Sequence, residues 1–174
     1  MPGVDQPIPK LPMNQHFQIR PAVATDVSAI LGMIRELADF EQLSHLVVAT
    51  EQDLLDHLFG AQGGVECLMG LENDQPVAFA LYFYNFSTFL GKRGLYLEDL
   101  YVKPVGRGKG YGKALLAALA KLATERQCAR FDWSVLDWNE NAIRFYQSLG
   151  ATVMPDWRIC RLTGTELQTL AAQG

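Results

Sequence analysis

At 174 residues the chain has the length of one domain with a substantial buried core, and its 49% hydrophobic content excludes a disordered chain. A formal net charge of −4 speaks against a dedicated nucleic-acid binder, whose surface is normally basic. The cysteines Cys67, Cys128 and Cys160 are odd in number, far apart and without a C-x-x-C pair; they indicate neither a disulfide framework nor a zinc site and fit a reducing cytoplasm.

Residues 1–15 hold Pro2, Pro7, Pro9 and Pro12 and little apolar material, and are expected to be a flexible leader before a single domain over 16–174. They contain no apolar signal-peptide region, and no run approaches the length of a membrane span, so no membrane partner is expected. Phe17-Gln18-Ile19-Arg20 alternates like a short strand. From Thr25 on, Val27, Ile30, Leu31, Ile34, Leu37 and Ala38 recur at helical spacing, with Thr25 or Asp26 as N-cap. Thr50-Glu51-Gln52-Asp53 resembles a capping box opening a second helix, which Gly60 stops. Strands are expected over 65–71 and 77–86, around a turn at Asn73-Asp74-Gln75-Pro76, and over 94–103. A helix over 113–126 carries Leu115, Leu116, Leu119 and Leu122 on one face; a strand follows over 130–136. Asn139 caps a helix ending at Leu149 with Gly150 as its stop, and Val153 and residues 159–162 suggest closing strands. This order is α/β with a mixed sheet.

Between the strand at 94–103 and the next helix stands Arg107-Gly108-Lys109-Gly110-Tyr111-Gly112. Alternating glycines before a helix leave backbone N–H groups uncovered at its electropositive end, which suits a phosphate. Arg107, Lys109 and Lys113 add cationic charge there. The G-x-G-x-G spacing is not the G-x-G-x-x-G of a dinucleotide fold, and Ala114 after Gly112-Lys113 lacks the hydroxyl that a P-loop gives to magnesium. A plain strand-to-helix turn needing positive φ is the competing reading of the loop alone.

The loop resembles the acetyl-coenzyme A pyrophosphate loop of the GNAT N-acetyltransferase superfamily, and residues 17–170 resemble its diamine acetyltransferase branch, the spermidine/spermine and thialysine acetyltransferases. The resemblance rests on four stretches: Ile19-Arg20-Pro21-Ala22 with Glu36-Leu37-Ala38-Asp39-Phe40-Glu41; Tyr96-Leu97-Glu98-Asp99-Leu100-Tyr101-Val102; the glycine loop; and Val135-Leu136-Asp137-Trp138-Asn139 with Phe145-Tyr146 and Gly150-Ala151. It implies a mostly antiparallel mixed sheet flanked by helices and splayed between the strands near 95–103 and 130–136. It also implies acetyl-CoA as acyl donor and a homodimer paired through late strands such as 153–162; His16, His45 and His57 are scattered and form no metal-ligand pattern, so no metal is expected.

Site residues follow from the same resemblance. An alkylammonium has a pKa near ~10.4, so a proton must leave before the amine attacks. Glu98 is the candidate base, or else a carboxylate that only pairs the substrate's charge; both readings stay open. Tyr146 takes the place of the family's general-acid tyrosine, with plain helix packing as the alternative. The backbone of Leu100, Tyr101 and Val102 matches the pantetheine-binding strand. Gly108, Gly110, Tyr111 and Gly112, with the cations Arg107, Lys109 and Lys113, match the pyrophosphate site. Asn139, Glu140, Asn141 and Ala142 match further cofactor contacts. Phe40 and Glu41 match positions lining the amine site, whereas Glu36 reads as a solvated helix end.

Between Gly150-Ala151 and Trp157-Arg158, polyamine-acetylating members carry a glutamate-bearing stretch. Here it is Thr152-Val153-Met154-Pro155-Asp156, shorter and with Asp156 its only carboxylate. A short diamine or a basic amino acid such as thialysine, lysine or ornithine is then as well suited as a long polyamine. Acetylation of protein lysines or N-termini, and a non-catalytic acyl-CoA sensor, are the competing functions; retention of Glu98 and Tyr146 argues against the sensor.

Overall fold

A computed structural model describes residues 16–61 and 63–174; the expected leader at 1–15 lies outside the described residues. The chain divides into two units, one ending at Ser134 and the other spanning Val135–Gly174.

The first unit is built on a five-stranded sheet in sequential order. Strands β1 (Phe17–Pro21), β2 (Val65–Glu72), β3 (Gln75–Ser87) and β4 (Lys92–Val102) pair antiparallel, and β5 (Arg130–Trp133) joins β4 in parallel. Helices α1 (Val27–Phe40) and α2 (Glu51–Phe59) separate β1 from β2, and α3 (Tyr111–Glu125) makes the crossover that a parallel β4–β5 pair requires. Asn73 and Asp74 sit at φ 51° and 62° in a two-residue loop that sets Glu72 opposite Gln75. Both residue types tolerate the left-handed region that such tight hairpins demand.

The sheet is covered on both faces. Ile30 and Met33 of α1 pack with Cys67, Met69, Leu71, Phe79, Leu81 and Tyr101. On the other face Tyr111 and Ala114 of α3 pack with Phe17, Ile19, Val77 and Val102. Phe79 is fully buried, and truncating such a ring to alanine typically costs about 3–5 kcal/mol. Thr50 closes the expected capping box on α2: its hydroxyl accepts from Asp53 N–H, and the Asp53 carboxylate accepts from Thr50 N–H. Asp26 stands at the start of α1 as expected, but its carboxylate serves another purpose. It accepts from the Arg20 guanidinium at 2.6 and 2.9 Å and from Val23 N–H at 2.8 Å, tying β1 to the helix entrance.

The second unit holds α4 (Glu140–Ser148) and α5 (Gly164–Ala171). Asn139 caps α4 by accepting from Ala142 N–H at 3.2 Å, and Gly150 ends the turn at φ 92°. The closing strands expected at Val153 and 159–162 do not form, and the strand expected over 130–136 stops at Trp133. A strand needs a ladder partner, and no segment of residues 135–174 pairs with another. Residues 152–174 are exposed throughout, and Leu167 and Leu170 lie on α5, a helix not among the expected elements.

Candidate active site

The register of β3 against β4 slips at one point. Leu81 pairs with Asp99 and Tyr82 with Leu97, which leaves Glu98 as an extra residue without a partner. This is a β-bulge, and it inverts the alternation of β4. Before it, Leu95 and Leu97 are buried opposite Tyr84 and Tyr82. After it, Val102 continues on the α3 face while Tyr101 joins the α1 core. Asp99, two residues before Tyr101, shares the α1-facing side.

A second break lies on the other edge of β4. Its pairing with β5 runs only from Gly94↔Arg130 to Leu97↔Trp133, so residues 98–102 have no partner strand on that side among the described residues. Lys103 N–H donates to Val77 carbonyl at 2.8 Å. Antiparallel alternation therefore turns the backbone groups of Tyr101 and Asp99 toward β3, and those of Leu100 and Val102 toward the open edge. An extended ligand can add to such an edge as a strand would. Of the three residues expected to offer backbone there, Leu100 and Val102 face it. Tyr101 is committed elsewhere, with its side chain in the core and its hydroxyl donating to Glu36 at 3.0 Å.

The glycine loop follows directly. Gly108 and Gly110 have φ of 75° and 82°, and a Cβ added at either would meet no protein atom within 4 Å. The glycines are required by conformation, and the space beside them is open to a ligand. Gly110 is the N-cap of α3, so the first helical N–H groups point into that space. The three cations differ. Arg107 donates from Nε to the Val102 carbonyl at 3.1 Å and stands over the rings of Phe40 and Tyr101. Lys109 is ion-paired with Glu72 at 2.8 Å, while Lys113 is exposed on the first turn of α3. Tyr111 is buried, leaving its backbone toward the loop.

The acidic residues at the end of α1 also divide. Glu36 accepts from Tyr101 and lies 3.6 Å from Lys103, and Asp39 accepts from the Ser44 hydroxyl; both are spent on local structure. Glu41 is not, and burial raises its pKa. Asp99, which sequence reasoning passed over in favour of Glu98, is pushed up to about 6, first by burial and then by the charges of Glu98 and Glu41. Among the described residues no cation pairs with Glu41, Glu98 or Asp99. Carboxylates that raise one another's pKa without a protein cation can attract a positively charged molecule.

A bulged strand, an open strand edge and a glycine loop at the N-cap of the next helix stand side by side in the first unit. The sequence profile of the Acetyltransferase (GNAT) family matches residues 32–151. The chain belongs to the GNAT acetyltransferase family. It is 36% identical over 198 residues to the L-ornithine N5-acetyltransferase of Arabidopsis thaliana, covering 88% of this chain and 87% of that protein. It is 37% identical over 167 residues to the thialysine N-epsilon-acetyltransferase of Mus musculus, covering 90% of this chain and 98% of the relative. Among solved structures, an integron cassette protein from the mobile metagenome of V. cholerae superposes with a TM-score of 0.76 at 30% identity, covering 91% of this chain and 99% of that one. This GNAT chain is an acyltransferase of a family that uses acetyl-CoA as acyl donor.

The remaining expected site residues lie in the second unit. Tyr146 is half-buried on α4 with its ring 5.4 Å from that of Phe145. The Asn139 side chain is taken by its cap, with Glu140, Asn141 and Ala142 forming the first turn after it. Asp156 is exposed. Among the described residues no group of three or more His, Cys, Asp or Glu is arranged to hold a metal ion, and no helix is long and apolar enough to cross a membrane.

Proposed function

We propose that this chain transfers the acetyl group of acetyl-CoA to a primary amine of a small diamine, polyamine or basic amino acid of the thialysine, lysine or ornithine type. The observation that carries the reading is the uncompensated carboxylate group of Glu41, Glu98 and Asp99 beside the open half of β4. It attracts a substrate with positive charge and offers an acceptor for the proton its ammonium must lose. The names of the relatives, an ornithine and several thialysine acetyltransferases, support the same substrate class.

Each part of the chain has a role in this reading. The loop N–H groups of Gly108, Gly110 and Gly112, with Arg107 and Lys113, hold the pyrophosphate. The open edge at Leu100 and Val102 holds the pantetheine arm and leaves an N–H for the developing oxyanion. Glu98 or Asp99 takes the amine proton, directly or through water; the raised pKa of Asp99 brings it nearer to the operating pH. Tyr146 protonates the leaving thiolate, Asn139 to Ala142 supply further cofactor contacts, and Phe40, Glu41 and Asp156 line the amine site. The working form is a cytoplasmic homodimer. The exposed apolar residues Val153, Met154, Trp157, Ile159 and Leu162 fit burial against a second copy.

Initial rates of thiol release from acetyl-CoA test the assignment across thialysine, ornithine, lysine, putrescine, spermidine and a neutral monoamine. Turnover is expected with the short dicationic or amino-acid substrates, with much less for the neutral amine. Equal rates across the panel would contradict a carboxylate-lined acceptor site.

A further inference from the structure

The glycine loop is held in place by a residue far from it in sequence. Glu72 ends β2, and its Cα partner across the sheet is Phe17 of β1. Cross-strand partners project to the same face, and here both hold the same tyrosine. The Phe17 ring stacks on Tyr111 with centroids 3.8 Å apart and planes within 2°. The Glu72 carboxylate accepts from the Tyr111 hydroxyl and from Lys109 Nζ, the latter at 2.8 and 2.9 Å. Lys109 Nζ also lies 5.8 Å from the centre of the Tyr111 ring. Tyr111 is the first residue of α3, and Lys109 stands between the two positive-φ glycines. The Glu72 side chain is only 12% exposed and its bond from Tyr111 is part-buried, whereas the Lys109 side chain is 38% exposed.

We propose that Glu72 is a positioning residue for acetyl-CoA: it fixes the conformation of the Gly108–Gly110 backbone through Lys109 and Tyr111. Lys109 is then a strut of the loop rather than a pyrophosphate ligand, and the anion is bound by backbone N–H groups, Arg107 and Lys113. The two flexible glycines explain the need for a clamp. A loop with two glycines at positive φ and open space beside both has many alternatives when unliganded, and ordering it on binding weakens affinity. The inference rests on the reading of this loop as the acetyl-CoA site.

Steady-state kinetics and CoA titration of wild type, Glu72→Gln, Glu72→Asp, Lys109→Met and the Glu72→Gln/Lys109→Met pair decide it. Loss of a charge-assisted clamp is expected to raise the KM for acetyl-CoA about tenfold, with kcat and the amine KM within about twofold. Glu72→Asp should fall between wild type and Glu72→Gln, and Lys109→Met should add little in the Glu72→Gln background. If Lys109 were instead a phosphate ligand held back by Glu72, both Glu72 variants would bind CoA more tightly, and Lys109→Met would cost more once Glu72 was gone. Tighter or unchanged CoA binding overturns the clamp, as does a parallel change of kcat and both KM values. Gly110→Val separates the underlying reading: if it binds CoA as wild type does, the loop is not the site, and the clamp falls with it.

Discussion

The Arg107 guanidinium lies 5.6 Å from the centre of the Phe40 ring. Arg107 opens the glycine loop and Phe40 ends α1, so one contact joins the loop proposed to hold acetyl-CoA to the residue proposed to line the amine site. The same guanidinium stands 5.7 Å from the Tyr101 ring and donates to the Val102 carbonyl, so it also anchors the open half of β4.

Removing the Phe40 ring should therefore be felt at both substrates. A cation–π contact at a half-open site is worth roughly 0.5–1 kcal/mol, so Phe40→Ala should raise the KM for acetyl-CoA about two- to fivefold in addition to its effect on the amine. A change confined to the amine KM would show that the contact does not support the loop.

Asp99 gives a prediction about stability. Its pKa is raised from the ordinary carboxylate range to about 6, so between roughly pH 4 and 6 the folded chain binds more protons than the unfolded one. Stability is then lost as pH rises through that window. Asp99→Asn should raise Tm relative to wild type at pH 7–8, by an amount corresponding to about 1–3 kcal/mol, and the two proteins should converge below about pH 4. Denaturation scans at pH 4 and pH 7.5 measure this; equal Tm values at both would show that Asp99 is not desolvated.

Much of this arrangement was legible in the sequence. The elements through α3 follow from periodicity, caps and the Asn73-Asp74 turn, because each is set by neighbours within a few residues. The last strands were not: Val153 and 159–162 have strand composition, but a strand exists only when another pairs with it, and pairing is not a local property. The bulge left a trace that went unread. Leu95 and Leu97 alternate in one phase and Leu100 and Val102 in the other, with Glu98-Asp99 at the break. That phase change marks Asp99 as well as Glu98. Glu72 left no trace, since its partners stand 37 and 39 positions away.

Glu98 and Asp99 should separate by kinetics. If Glu98 is the base, Glu98→Gln loses rate that is partly recovered at high pH, where free amine is abundant. If it only pairs the substrate's charge, the amine KM rises with kcat mostly retained. A pH–rate series on Glu98→Gln and Asp99→Asn assigns the two carboxylates. Wild-type behaviour of both variants for every amine would remove both residues from the reaction.

Tyr146→Phe loses one hydroxyl. As general acid, Tyr146 should contribute about 10²–10⁴ to kcat, with acetyl-CoA affinity nearly unchanged. Wild-type turnover under conditions where chemistry limits the rate would leave the ring a packing role on α4.

The most direct test of the whole account is the fate of a labelled acetyl group. Acetyl-CoA labelled in the acetyl carbon is offered together with thialysine, ornithine, putrescine and a lysine-bearing peptide in one reaction, and the products are resolved by mass spectrometry. The account predicts the label on a primary amine of a small basic substrate, at rates that fall in Glu41→Gln and Asp99→Asn. Label found only on the peptide, or a small-molecule product whose rate ignores both carboxylates, would contradict it.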